Sequence, residues 1–471
     1  MMQVILVNPD WGSLRKKWPP RIKEKLFPGN PEPFMPLELA YLAGILRDKY
    51  PVRIADLNVS GFNFTALKNQ AGGEDLVFVL TTAPSYLFWR CPPLSTKIPL
   101  DCGRMLKRIF PRSKLIIIGP HASVRPIDFL SEADFILMGE PENAILPLVQ
   151  RIEKNGSNRI SGVVSAQENE PAGPDSCIAT DDLDGLPFPA YDLFPFLKEY
   201  CAHGVFPGGE PKFSVLYEAS RGCPFNCIFC FKNVCRNKFR VKNVEKTAQE
   251  LRRLKEEFGV KYVYFIDETF GYLNNWTYDL CRKIKGLGLK WSCQSNLHTL
   301  APELIAEMAG AGCVSIEFGL ESGSAQVLKN IHKNLDREKT MATIEKCVET
   351  GITPLIFLLL GLPGDTRSTI KETREFMEGL CLKKCSFLGA GFPTPYPYTR
   401  LWHMGVQEGK IHKDRWRWEE LSRAAGTVGN AFTIRQINQI VRDFNYYFQC
   451  RGLSFSSRII LRTKSMLKYH F

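Results

Sequence analysis

No stretch of the 471-residue chain approaches the roughly 18 consecutive apolar residues that a membrane-spanning helix needs. The longest apolar run, 354–362, has the length of a buried parallel strand. The opening Met-Met-Gln-Val-Ile-Leu-Val carries no basic region and no cleavage site, so a strand is expected there and a secretory leader is not. The 15 cysteines are too scattered, in too long a chain, for a small disulfide scaffold. These absences lead us to expect a reduced, cytoplasmic setting. Hydrophobic residues make up 44% and charged residues 23%, which is ordinary globular composition and excludes a disordered chain as the default. The formal charge of +12 permits a nucleic-acid, membrane or anionic partner and demands none of them.

The length allows two or three domains. Residues 1–154 alternate short apolar runs (3–8, 52–56, 76–80, 114–118, 135–138) with helical spacing at 36–48, 102–109 and 143–153. This predicts an α/β domain with a parallel sheet of Rossmann-like, flavodoxin-like type and helices on both faces. Residues 155–210 are rich in Gly, Pro and Asp and read as a linker with a short hairpin near 160–164. Residues 211–400 return to strands (215–218, 262–266, 291–294, 314–318, 354–360, 387–391) separated by helices, which predicts a partial (β/α)6 TIM-type barrel. Residues 401–471 read as a mainly helical C-terminal region. Its Trp416, Trp418, Phe444, Tyr446, Tyr447 and Phe448 are expected to pack more than to line a cavity.

The most informative stretch is 220–233, Ser-Arg-Gly-Cys-Pro-Phe-Asn-Cys-Ile-Phe-Cys-Phe-Lys-Asn. Cys223, Cys227 and Cys230 stand at the spacing C-x-x-x-C-x-x-C. Thiolates select iron–sulfur clusters or zinc, so a zinc knuckle, with a basic nucleic-acid-binding module around it, is the alternative at this point. A 4Fe–4S cluster usually takes four thiolates; three leave one iron open. Cys235, Cys381 and Cys385 are read as core or incidental. In sheets of both kinds the ligand lies beyond the carboxyl ends of the strands. Those ends carry Asn8-Pro9, Thr81-Thr82-Ala83-Pro84-Ser85, Gly119-Pro120-His121 and Gly139-Glu140-Pro141-Glu142 in the first domain. In the second they carry Asp267-Glu268, Ser295-Asn296, the run Glu317-Phe318-Gly319-Leu320-Glu321-Ser322-Gly323-Ser324, and Gly361-Leu362-Pro363-Gly364.

The cysteine spacing together with Gly-Leu-Glu-Ser-Gly-Ser and Gly-Leu-Pro-Gly resembles the radical S-adenosylmethionine (SAM) enzymes. Adding Met35-Pro36-Leu37-Glu38-Leu39-Ala40-Tyr41-Leu42-Ala43, Gly-Pro-His and Gly-Glu-Pro-Glu, residues 1–400 resemble the cobalamin-binding-domain radical SAM family, including its class B methyltransferases. The resemblance implies a 4Fe–4S cluster on Cys223, Cys227 and Cys230, which act catalytically through it. It implies SAM contacts from Phe229, Asp267, Glu268, Ser295, Glu317, Glu321 and Ser322. It implies cobalamin contacts from Asn8, Thr81, Thr82, Ser85, Gly119, Pro120, His121, Gly139, Glu140 and Glu142.

The axial-histidine motif D-x-H-x-x-G is absent, since no histidine follows an aspartate by two positions. Cobalamin is therefore implied by the resemblance and not by a motif. The implied activity is transfer of a methyl group from methylcobalamin to an unactivated carbon or phosphorus centre after hydrogen abstraction by a 5′-deoxyadenosyl radical. The alternative is a radical cyclisation, ring rearrangement or oxidation without methyl transfer, on a lipid or other biosynthetic intermediate. The implied partners are a small-molecule or lipid substrate and an external flavodoxin- or ferredoxin-type electron donor, with no nucleic acid. Two basic stretches remain: Arg15–Lys25 among Trp11 and Trp18, read as a solvated or cofactor-covering loop, and 451–471. The latter either lies on an anionic membrane or packs as a helix on the barrel.

Overall fold

The computed structural model describes residues 2–11, 35–59, 63–71, 75–84, 91–165, 173–194, 197–200, 214–232, 236, 238–333 and 335–449. Ser85, Cys235, both basic stretches and all of 201–213 lie outside them.

The first unit runs β1 (Gln3–Asn8), α1 (Leu37–Leu46), β2 (Val52–Asp56), α2 (Phe64–Gln70), β3 (Leu76–Thr81), α3 (Lys97–Ile109), β4 (Lys114–Ile118), α4 (Pro120–Val124), β5 (Phe135–Leu137), α5 (Glu142–Glu153) and β6 (Val163–Ser165). Its sheet has the order β2-β1-β3-β4-β5-β6. β1 and β3 are buried along their whole length, as continuous apolar runs in the middle of a parallel sheet should be. The strand order reverses between β1 and β3, which puts the binding crevice at the ends of those strands. The expected hairpin near 160–164 does not form. β6 instead pairs antiparallel with β5, covering a strand edge that would otherwise present unpaired backbone groups.

The second unit runs β7 (Ser214–Tyr217), β8 (Ser220–Arg221), β9 (Arg240–Val241), α6 (Val244–Phe258), β10 (Tyr262–Phe265), α7 (Asn274–Ile284), β11 (Lys290–Ser295), α8 (Pro302–Gly310), β12 (Cys313–Glu321), α9 (Ala325–Asn330), α10 (Arg337–Glu349), β13 (Thr353–Leu359), α11 (Arg367–Leu382) and β14 (Ser386–Gly391). Six strands form an open parallel sheet in the order β7-β10-β11-β12-β13-β14. Local chemistry fixes the helix ends. In α6 the Asn243 side chain accepts from the Glu245 and Lys246 amides, and Gly259 closes the other end in the left-handed region.

The C-terminal helices are α12 (Arg400–Gln407), α13 (Leu421–Ala424) and α14 (Ile434–Gln449). α14 covers the free edge of β14. The Asn445 side chain accepts from the Ala390 amide at 2.8 Å and donates to the Ala390 carbonyl at 2.8 Å, imitating a neighbouring strand. Phe444 and Phe448 pack on Phe387, and Trp416 and Trp418 are buried, so these aromatics pack as expected. One apolar core runs through both units, from Val4, Tyr41 and Leu137 to Tyr217, Phe265 and Ile316.

Candidate active site

The three motif cysteines lie on the loop that leaves β8. Gly222 opens this loop at φ +81°, and a Cβ there would sit 2.1 Å from the Lys238 carbonyl, so only glycine fits. Lys232 donates to the Phe225 carbonyl at 2.7 Å and also to the Cys223 carbonyl, drawing the two ends of the loop together. The Ile228 amide donates to the Ile331 carbonyl at 3.2 Å, and the Ile228 carbonyl accepts from the Leu401 amide at 3.0 Å. The loop is thus held from α9 on one side and α12 on the other.

Cys223, Cys227 and Cys230 line one cavity of about 410 Å3 at the carboxyl ends of the second sheet. None is in a disulfide. Burial raises all three thiols, Cys230 to about 12, while Lys232 pulls the other way on each and Lys333 on Cys223 and Cys227. Among the described residues no three His, Cys, Asp or Glu side chains converge closely enough to share one ion. A 4Fe–4S cluster usually takes four thiolates, so three would hold one with an iron left open.

Of the residues expected to contact SAM, Phe229, Glu268, Ser295, Glu317 and Glu321 line the same cavity. Glu317 is held by the Gln294 amide at 2.7 Å. Glu268 accepts from the Gly222 amide at 2.9 Å, tying the end of β10 to the cysteine loop. Glu321 stands at φ +67°, where the β12–β13 pairing slips by a residue. A bulge of this kind re-aims a side chain, and here it brings Glu321 to Lys333 at 2.9 Å.

Asp267 and Ser322 are not among the cavity's lining residues. Asp267 is buried and accepts from the Ala219 amide at 3.1 Å and the Ser220 hydroxyl at 2.5 Å. Burial raises its carboxyl to about 7, the hydrogen bonds offsetting only part of that. It supports the entry to the cysteine loop. Ser322 bonds the Thr373 hydroxyl and the Ser324 amide within a turn.

The sequence reading missed Lys333, Gln294, Thr269 and Cys91, all of which line the cavity. Lys333 lies 12 residues past Glu321 in sequence, and only the turn after α9 returns it. The buried Thr269 hydroxyl has no hydrogen-bond partner among the described residues. Cys91 arrives from the first unit on a segment latched twice: the Tyr396 hydroxyl reaches the Pro92 carbonyl at 3.1 Å, and His121 Nε2 lies 2.6 Å from the Pro93 carbonyl.

In the first unit, the residues expected to touch cobalamin are mostly buried among protein partners. Asn8 accepts from Trp11 Nε1 at 2.8 Å and donates to Asp56 at 3.2 Å. Thr81 donates to Glu38 at 3.1 Å. Gly119, at φ +112°, and Pro120 form the turn into α4. Gly139 takes φ +81° because any side chain would strike the Ile178 backbone at 2.2 Å. His121 is fully buried edge-on against Trp418, with ring centres 4.4 Å apart, and burial lowers its pKa to about 4. The buried Thr82 hydroxyl at the end of β3 has no hydrogen-bond partner among the described residues, and this unmet group at the switch-point strand is what a polar ligand would satisfy.

Glu140 and Glu142 meet the cysteine loop across the interface between the units. Arg221, directly before Gly222, reaches Glu142 at 2.6 Å, Glu218 at 2.7 Å and Glu140 at 3.3 Å. Arg240 grips Glu140 in bidentate fashion at 2.7 and 2.8 Å. Arg236 pairs with Glu218 at 2.6 Å and stands 3.4 Å from Glu140 and 3.5 Å from Glu268.

Residues 217–377 match the Radical SAM superfamily. Over 429 residues the chain is 28% identical to an uncharacterized methyltransferase of Pyrococcus horikoshii, covering 88% of each. It is 24% identical to the cytidylyl-2-hydroxyethylphosphonate methyltransferase of Streptomyces wedmorensis, covering 85% of this chain and 86% of the relative. Among solved structures, the radical SAM methyltransferase TsrM of Kitasatospora setae, with tryptophan and a SAM analogue bound, aligns with a TM-score of 0.65 at 16% identity. The alignment covers 87% of this chain and 77% of that one. A second structure of the same enzyme holds cobalamin and a [4Fe-4S] cluster. A radical SAM domain thus occupies residues 217–377, and the chain shares the fold of the TsrM structures.

Proposed function

We propose that the chain is a cobalamin-dependent radical SAM methyltransferase that places a methyl group on an unactivated carbon of a small-molecule substrate. The observation that carries this reading is the convergence of Cys223, Cys227 and Cys230 on one cavity whose remaining wall is built from strand-end polar groups. When bound, the cluster supplies the electron that cleaves SAM to a hydrogen-abstracting radical, and the corrin supplies the methyl group.

The chain's own residues do the binding and orientation. Cys223, Cys227 and Cys230 hold the cluster as thiolates. Phe229 would meet the adenine. Glu268, Glu317 and Glu321 would accept from the SAM ammonium and ribose hydroxyls, with Ser295 beside them. Gln294 fixes Glu317, and Lys333 fixes Glu321 while adding the positive charge a carboxylate needs. Asp267 and Ser322 act behind this layer, on the loops.

In the first unit we assign the corrin to the carboxyl ends of β1 and β3, with Thr82 as a polar contact. His121 serves there as the latch of the 91–94 segment, through its contact with Pro93. Glu140 and Glu142 serve as couplers between the units. The working division is residues 1–165, which include β6, for the corrin, 166–210 as connection, 211–400 for the cluster and SAM, and 401–471 as covering helices. An external low-potential donor would supply electrons. No described helix is long and apolar enough to cross a membrane.

The test is anaerobic reconstitution with iron, sulfide and hydroxocobalamin, followed by product analysis with SAM and reductant. Methyl transfer requires S-adenosylhomocysteine to form alongside 5′-deoxyadenosine. A non-transferring cyclase or oxidase yields 5′-deoxyadenosine alone, and that result would replace this reading.

A further inference from the structure

We infer that Glu140 is a positioning residue that sets the separation between the two halves of the active site by clamping the cysteine loop from the first unit. The inference rests on the proposed function only in what the separation is for.

Glu140 lies just past the end of β5, with no exposed surface. Its two carboxylate oxygens receive Arg240 at 2.7 and 2.8 Å, Arg221 at 3.3 Å and the Thr180 amide at 2.8 Å. These arginines bracket the cluster motif: Arg221 precedes Cys223 by two residues, and Arg236 and Arg240 follow Cys230 by six and ten. Arg236 extends the chain of contacts to Glu268, which lines the cavity and accepts from the Gly222 amide. A continuous path of ion pairs and hydrogen bonds thus runs from the carboxyl edge of the first sheet to the backbone beside Cys223.

Bidentate arginine–carboxylate pairs fix direction as well as distance. Burial on its own would raise the Glu140 carboxyl, but Arg221 and then Arg240 hold it down near 2, so the clamp stays charged throughout the working pH range. Two cofactors acting on one carbon atom need their separation fixed, because a displacement of about 1 Å can cost roughly a hundredfold in rate. A side chain that only glued the units together would not need to reach both ends of the cysteine loop.

The experiment uses the full chain with Glu140→Gln and Glu140→Asp. In cofactor-free protein, hydrogen exchange of the peptide spanning 219–232 is expected to speed up about tenfold in both variants. After reconstitution with iron, sulfide and hydroxocobalamin, the ratio of S-adenosylhomocysteine to 5′-deoxyadenosine is expected to change at least about tenfold. Glu140→Asp keeps the charge but is too short to span Arg240 and Arg221 together. It should therefore stay folded, with a lower thermal midpoint, while still shifting exchange and ratio, which supports positioning even if Glu140→Gln does not fold. Wild-type exchange of 219–232 in folded Glu140→Asp would overturn the clamp. Faster exchange with an unchanged product ratio would overturn the positioning role. If wild type itself gives no S-adenosylhomocysteine, the proposed function fails, and the exchange measurement still decides the clamp.

Discussion

The carboxyl edges of the two sheets carry equally polar loops and use them in opposite ways. Along the second sheet, Glu268, Ser295, Glu317 and Glu321 face an open cavity. Along the first, Asn8, Thr81, His121, Glu140 and Glu142 are buried against protein partners. A strand-end position therefore tells where a ligand is approached, and not whether a given side chain touches it. Burying a charge is expensive unless it is paired, so the arginines flanking the cluster motif and the glutamates of Gly-Glu-Pro-Glu are best explained together, as one interface.

Five substitutions break or sharpen this contrast. The largest effect is expected from Cys227→Ala, which should lower iron retention and SAM cleavage by more than the roughly hundredfold that losing a mere supporting group costs. Iron analysis and 5′-deoxyadenosine yield read it out. Next, Arg221→Met leaves three buried carboxylates short of a partner. It should cost about 3–5 kcal/mol, a fall in thermal midpoint of roughly 3–5 °C for a chain of this length. Its counterpart on the other edge, Glu317→Gln, should stay within about 1 kcal/mol of wild type while weakening SAM binding. Equal losses of stability in the two would erase the distinction between the edges.

A smaller, pH-dependent effect belongs to Asp267. Its carboxyl is raised from 3.8 to about 7 in the folded chain, mainly by burial. A raised carboxyl contributes stability at low pH, and the contribution is lost as pH climbs through the folded value. Asp267→Asn should therefore flatten the fall in thermal midpoint between pH 5 and 8 by roughly 2–3 °C. The smallest effect is expected from Cys91→Ala, which should keep wild-type iron content and 5′-deoxyadenosine yield. Loss of iron there would mean that a fourth thiolate closes the site.

Most of the architecture was legible in the chain. The runs 3–8, 52–56 and 114–118 are strands to the residue, and α6 starts and stops at Asn243 and Gly259, where its capping chemistry says it should. Buried parallel strands and capped helices are local patterns, so one sequence displays them. β6 was read as half of a hairpin because its partner, β5, lies well upstream. The same limit hid Lys333 and Cys91, which reach the cavity only through tertiary packing. Asp267 and Ser322 were grouped with the cavity because their neighbours line it; their side chains turn inward, to Ser220 and Thr373. The network around Glu140 was invisible because its partners, Arg221 and Arg240, lie 81 and 100 residues away.

The account depends on three thiolates leaving one iron open to SAM. The most direct measurement is iron and acid-labile sulfide content after anaerobic reconstitution, with the reduced protein's electron paramagnetic resonance spectrum recorded before and after adding SAM. The account predicts about four irons per chain and a spectrum that changes when SAM is added. Zinc in place of iron, or a cluster spectrum that SAM leaves unmoved, would contradict it.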